Sequence, residues 1–510
     1  MRKKIVKSTL TVGIMTFLSR LLGLIREMVF ASTFGATAGM DAFLVAFKIP
    51  NFFRRLFAEG AFSQAFVPIL AEHKTQDSKA ELRQFIANVS GTLAGFVFIV
   101  AVLGSLGASI FVFMFAPGFI QSPAKFLLAK EMLRITFPYL FFISLTALSG
   151  GILNTFNRFS VPAVTPVILN LCLIVATVFF APHLAHPVQA AAWGVLIAGV
   201  LQFGFQLPFL YRLGLLVWPK WGLYYPGVKR ILTLMVPALF GASVAQISLL
   251  FDTLFASFLP TGSVSWLYYA DRLMQFPLGV FGVALSTVIL PHLAKSHAQK
   301  KSQQFKESID FAINLIIVVA LPAAVGLWVL SGPLLMTLFN YGAFSPHDVA
   351  RSQACLMAFS LGLIFFILVK ALVSSYYAAK DMKTPVKIAV VSMITNFLLN
   401  ALLIWPLQVV GLALSTSIAS FVNVALLGYG LHKKQVYHFK TKKLLFLFQT
   451  ALASAIMYGV ITECLDLFGQ FSQLTAAFRV LHLIAIISIG ILSYVLSLLL
   501  FGIRKRHFVY

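Results

Sequence analysis

The sequence predicts an all-α polytopic membrane protein of fourteen transmembrane helices, arranged as two six-helix lobes related by a parallel repeat plus a C-terminal helix pair. Three observations carry this. First, 60% of the 510 residues are hydrophobic and only 11% are charged, with mean hydropathy +0.92, far too little polar side chain to cover a water-soluble surface. Second, apolar runs of about 20 residues, the length a helix needs to cross a 30 Å hydrocarbon core, recur from end to end, among them "GTLAGFVFIVAVLGSLGASIFVFMF" and "FAINLIIVVALPAAVGLWVL". Runs that long exceed barrel strands, and only helices or closed barrels satisfy their backbone in lipid. Third, the chain repeats itself at one fixed offset.

The apolar segments begin near residues 8, 41, 86, 131, 162, 189, 230, 264, 309, 351, 386, 409, 445 and 479. The first has no small-residue cleavage site behind its charges and is expected to be retained as a span. Of the 39 Lys and Arg, 27 fall in the two tails and the even-numbered connections, four (Lys125, Lys130, Arg351, Arg479) on the other face, and eight inside spans. That bias predicts both termini in the cytoplasm. It also explains the net charge of +24 as topology, so nucleic acid is not an expected partner. Cys172, Cys355 and Cys464 are scattered through apolar segments and suit packing, not a metal site or disulfide; no cofactor or metal is expected.

"SQAFVPILAE" from Ser63 matches "STVILPHLAK" from Ser286 at an offset of 223, and Pro162 meets Pro385 at the same offset. Six spans separate the copies, an even number, so the halves share one orientation, as in parallel-repeat transporters. The expected domains are an N-lobe at 1–222, a C-lobe at 223–440, and the helix pair at 441–510.

The charges at membrane depth are Arg20, Arg26, Lys48, Arg54, Arg55, Arg134, Arg272 and Lys370. Each costs roughly 2.5–3.5 kcal/mol on insertion scales. In the second segment, Asp41, Lys48, Asn51, Arg55 and Glu59 fall on one stripe at α-helical spacing,, with Arg54 one residue aside and Pro50 expected to kink the helix. Arg55 and Glu59, four apart, also suit a simple ion pair. Six basic residues (Arg20, Arg26, Lys48, Arg54, Arg55, Arg272) face four acidic ones (Glu27, Asp41, Glu59, Asp271). A surplus of that sign predicts a hydrated cationic cavity for an anion. Guanidinium groups suit phosphate because they stay charged and bind two oxygens at once. Arg134, at the start of a span, is expected to snorkel.

"SRLLGLIREMVFASTFGA", "DAFLVAFKIPNFFRRLFAEGAFSQAFVPILAEHK", "GSVSWLYYADRLMQFPLGVFGVALSTVILP" and "KTPVKIA" resemble the lipid II flippase (MurJ, formerly MviN) family of the multidrug/oligosaccharidyl-lipid/polysaccharide exporter superfamily, along essentially the whole chain. The resemblance implies a transporter, not an enzyme. It would export the undecaprenyl-diphosphate-linked peptidoglycan precursor across the bacterial inner membrane, with the C-terminal pair forming a groove for the lipid tail. It maps functional charges onto Arg20, Arg26, Asp41, Arg54 and Arg272, with Lys48 and Glu59 nearby. Gln275 stands where relatives also carry an acidic residue. The implied partners are lipid II, membrane lipids and the cell-wall synthesis machinery, the protein acting as a monomer. The alternatives are a flippase for another lipid-linked oligosaccharide, of the O-antigen type, and a membrane enzyme acting on prenyl phosphates. Such an enzyme needs a clustered constellation of acids or histidines that the dispersed acidic residues do not supply.

Overall fold

The computed structural model describes residues 2–282, 293, 299, 302–435, 442–468 and 471–503. Every regular element among them is helical, and nine helices are long and apolar enough to cross a membrane. The chain forms two compact units, Met1–Ser265 and Trp266–Tyr510.

In the first unit, α1 (Arg2–Phe34) is followed by α2 (Ala38–Phe53), a π-helix (Arg54–Phe62) and α3 (Ser63–Gln76). Then come α4 (Lys79–Leu106), α5 (Ala108–Phe115), α6 (Pro123–Thr136), α7 (Tyr139–Thr155), α8 (Ser160–Val175), α9 (Gln189–Arg212) and α10 (Pro226–Ala256). Helix α10 lies on the π-helix, α3, α4 and α5, so it packs with the helices that precede it. The sequence repeat begins near residue 223, yet the packing boundary falls after α10, because a helix joins whichever apolar faces enclose it.

In the second unit, α11 (Ser263–Pro277) runs into a π-helix (Leu278–Gly282). It is followed by α12 (Ser302–Val329), α13 (Ser331–Leu338), α14 (Pro346–Ala378), α15 (Lys383–Lys433), α16 (Lys442–Phe468) and α17 (Ala476–Leu500). Gln408 takes φ 50° and ψ −131° within α15 and breaks that 51-residue helix in two. The C-terminal pair packs on this unit. Lys443 ion-pairs with Asp310, and the Tyr494 hydroxyl donates to the Val318 carbonyl at 2.6 Å.

The repeat extends to the element boundaries. Moved by 223 residues, α4 lands on 302–329, the bounds of α12, and α5 lands on 331–338, the bounds of α13. The stretch from the start of α6 to the end of α7 lands on 346–378, the bounds of α14, and the start of α8 lands on Lys383, the start of α15. Even a left-handed backbone position recurs, Asn157 at φ 59° answering Lys380 at φ 61°. The motif copy at Ser286 lies outside the described residues apart from Leu293.

The "KDMKT" loop carries a pH-sensitive clasp. Asp381 accepts from the Thr384 amide at 3.0 Å, from its hydroxyl at 2.6 Å, and from Lys434. Burial alone would raise this carboxyl, but the Lys434 and Thr384 bonds outweigh it and hold it well below the usual range. A depressed carboxyl stabilises the fold fully above its unfolded pKa, about 3.9, and loses that contribution as pH falls through the folded value. Asp381→Asn should therefore show a smaller drop in thermal midpoint than the parent when detergent-solubilised protein is taken from pH 5 to pH 3.

Candidate functional site

Helix α2 and the π-helix that follows it carry a dense set of polar groups. Thr37 caps α2, which keeps α geometry through Pro50 to Phe53, and the backbone then widens into a nine-residue π-helix. A π turn holds more residues than an α turn, and such insertions gather at functional sites. Lys48 and Arg55 keep a common face, both reaching α10. The Glu59 side chain lies outside the described residues, so its suggested pairing with Arg55 does too.

Asp41 sits at the other end of the helix in a sealed knot. It is 0% exposed. One carboxylate oxygen accepts from Lys125 Nζ at 2.7 Å and the Gly262 amide at 2.8 Å, the other from the Ser265 amide at 2.9 Å and Ser265 Oγ at 2.6 Å. Lys125, counted from sequence as a loop cation, is 5% exposed and lies 4.3 Å from the Phe119 ring centroid. The carboxylate thus neutralises a buried lysine and caps the backbone entering α11, a favourable place for a negative charge. In the repeat, the position answering Lys125 holds Asp348, which accepts from Trp266 Nε1 at 2.7 Å. In the structure Asp41 therefore serves as a structural anchor, not an exposed ligand.

Nearer the middle of the span, α10 supplies the partners. Lys48 donates to Thr253 Oγ1, and Arg55 Nη1 reaches Gln246 Oε1 at 3.4 Å. Lys48 and Arg55 are seven residues apart, as are Gln246 and Thr253, in reversed order, which is the signature of two antiparallel helices meeting along two turns. Arg54 Nε donates to Asn51 Oδ1 at 3.0 Å, while Asn51 Nδ2 donates to the Phe47 carbonyl at 2.9 Å. These neutral amides and hydroxyls orient the cations. The acid count from sequence also omitted Asp252, buried on α10 beside Thr253.

On α1 the two arginines take different faces. Arg20 is exposed. Arg26 and Glu27 are both buried and form an ion pair, and Arg26 Nη1 donates to Asn170 Oδ1 at 2.9 Å. Asn170, on α8, in turn donates to the Ser19 carbonyl at 2.9 Å. In the second unit the Arg272 guanidinium lies 4.7 Å from the Tyr268 ring centroid, and Gln275 bonds Asp271. Arg134 is exposed, as snorkelling requires, and Lys370 is half-buried. Lys48 and Arg55 thus meet α10 while Asn51 and Arg54 bond each other on the same helix, whereas Arg26 and Asp41 each anchor a separate buried knot. Of the partners that sequence reasoning missed, Asn170, Gln246 and Thr253 are neutral and gave no charge signal. Lys125 had a charge but sat outside the apolar run. Among the described residues no three His, Cys, Asp or Glu side chains gather as a metal site would need.

Among the described residues, nine helices apolar enough to cross a membrane, with element boundaries that recur at one offset, define a multi-pass membrane protein of the transporter-like kind. The family model described as lipid II flippase MurJ matches residues 30–499, and the chain belongs to that family. It is 46% identical over 511 residues to the probable lipid II flippase MurJ of Vibrio cholerae, covering 99% of this chain and 97% of the relative. A solved lipid II flippase MurJ in an inward closed conformation superposes with a TM-score of 0.80 at 30% identity, covering 97% and 98% of the two chains. An inward-facing multidrug resistance MATE transporter of the MOP superfamily shares the fold, with a TM-score of 0.69 at 14% identity over 81% of this chain and 94% of that one.

Proposed function

We propose that this protein moves lipid II, the undecaprenyl-diphosphate-linked peptidoglycan precursor, from the cytoplasmic to the periplasmic leaflet of the bacterial inner membrane by alternating access. The observation that carries the reading is the group Lys48, Arg54 and Arg55, bonded to Thr253, Asn51 and Gln246 on a helix at bilayer depth. A pyrophosphate offers several anionic oxygens, and such donors suit it. Arg20 supplies further positive charge in the same unit, and Arg26 is oriented by Asn170 and Glu27.

The fold supports fourteen spans: the nine apolar helices with α15 counted twice at Gln408, plus α1, the α2–π–α3 helix, α10, and α11 with its π-helix. Both termini lie in the cytoplasm on the charge bias, and the prenyl tail follows α16 and α17 in lipid. The interior-negative potential favours outward movement of the anionic headgroup by roughly 2.3 kcal/mol per charge per 100 mV.

Depletion of the protein from growing cells tests the reading. Lipid-linked precursor should accumulate in the cytoplasmic leaflet. Loss of precursor synthesis would instead indicate an enzyme, and accumulation of a different lipid-linked sugar would indicate another cargo. The paired change Arg54→Ala with Arg55→Ala should insert normally yet fail to complement depletion.

A further inference from the structure

We infer that the coil joining α9 to α10, residues 213–225, is an interfacial strap that docks on the anionic phospholipid headgroups of the leaflet bearing the basic loops. It has no helix or strand, yet it is bound along α4 at successive depths. Arg83 Nη1 donates to the Gly214 carbonyl at 2.9 Å, the Lys220 amide to the Ala87 carbonyl at 2.9 Å, and the Gly222 amide to Thr92 Oγ1 at 3.1 Å. Glycines make the seat, since a Cβ on Gly91 would overlap the Lys220 backbone and one on Gly95 the Trp221 ring.

The exposure along α4 locates the strap. Residues 79–84 expose charged and polar groups, none of 85–95 is exposed, and from Phe96 the exposed side chains are apolar: Phe96, Phe98, Ile99, Val102, Leu103 and Leu106. The helical stretch from Gly95 to Phe115, broken only at Gly107, is about the 20 residues that a 30 Å core demands. The strap therefore covers α4 where water gives way to hydrocarbon. A coil cannot sit deeper, because unpaired backbone groups are not tolerated in lipid.

Its outward side fits that layer. Trp218 is 87% exposed, Trp221 61% and Tyr224 92%, ring types that favour the headgroup level. Lys220 lies between the two tryptophans, and Arg212 and Lys229 flank the coil; all three are exposed. Cations among interfacial aromatic rings match anionic lipid.

A probe at position 218 tests this in the full chain. With Cys172, Cys355 and Cys464 replaced by alanine, Trp218→Cys is labelled with a nitrobenzoxadiazole dye and reconstituted in phosphatidylethanolamine–phosphatidylglycerol vesicles. A shallow doxyl-labelled lipid should quench this dye about threefold more strongly than aqueous iodide does, while the same dye at Ala80, on the exposed start of α4, should show the reverse. Iodide quenching at 218 equal to that at 80, without doxyl quenching, would overturn the docking. Replacing phosphatidylglycerol by phosphatidylcholine, or introducing Lys220→Glu, should weaken the shallow quenching; no change in either would overturn the charge preference.

Discussion

Asp41→Ala should be the most damaging single substitution in the chain. It would leave the Lys125 ammonium buried without its carboxylate, which costs about 3–5 kcal/mol for a broken buried pair. It would also remove the acceptor for the Gly262 and Ser265 amides at the entry to α11, worth about 1 kcal/mol more as a lost cap. The thermal midpoint of the solubilised protein should fall sharply, and complementation should fail. A matched pair identifies the cause. Asp41→Asn combined with Lys125→Met removes both charges and should recover much of the stability, since replacing a buried ion pair is far cheaper than breaking one. An Asp41→Ala protein with an unchanged midpoint would show that the knot contributes little.

Arg26→Ala is the second large effect, and it needs a partner substitution to be read. The change removes the guanidinium paired with the buried Glu27 carboxylate, at up to about 3–5 kcal/mol, so lost complementation alone would not separate folding from transport. Arg26→Ala with Glu27→Gln removes both charges of the pair. We expect this double variant to fold and insert within about 1 kcal/mol of the parent and still fail to support growth when the native protein is depleted. Restored growth would assign Arg26 a purely structural part.

Much of the fold was legible in the sequence because lipid imposes a simple rule on it. Span length, loop charge and the offset of 223 all follow from hydrophobicity and topology, and the boundaries of α12, α13 and α14 fall where the repeat puts them. The site was legible in part. Lys48, Asn51, Arg54 and Arg55 stand out because polar groups in an apolar run are conspicuous, but the groups that Lys48 and Arg55 meet on α10 do not, since Thr253 and Gln246 are neutral and remote in sequence. Asp41 was found for its charge and assigned to the ligand set; its partner Lys125, outside the apolar run, looked like an ordinary loop lysine. Asn170 carried no charge to betray it.

The sequence by itself determined that this chain is helical and spans a membrane repeatedly, and that one stretch recurs at an offset of 223, because each is a property of composition and spacing along one dimension. Only the tertiary structure decided which groups the cations meet, as Arg26 meets Glu27 and Asn170, and Lys48 and Arg55 meet Thr253 and Gln246 of α10. It also seated α10 with the first unit and laid the coil after α9 against α4. The physical reason is common to all of these: pairing energies depend on distances between side chains remote in sequence, and a helix that is apolar on every side can pack in several places until its neighbours are fixed.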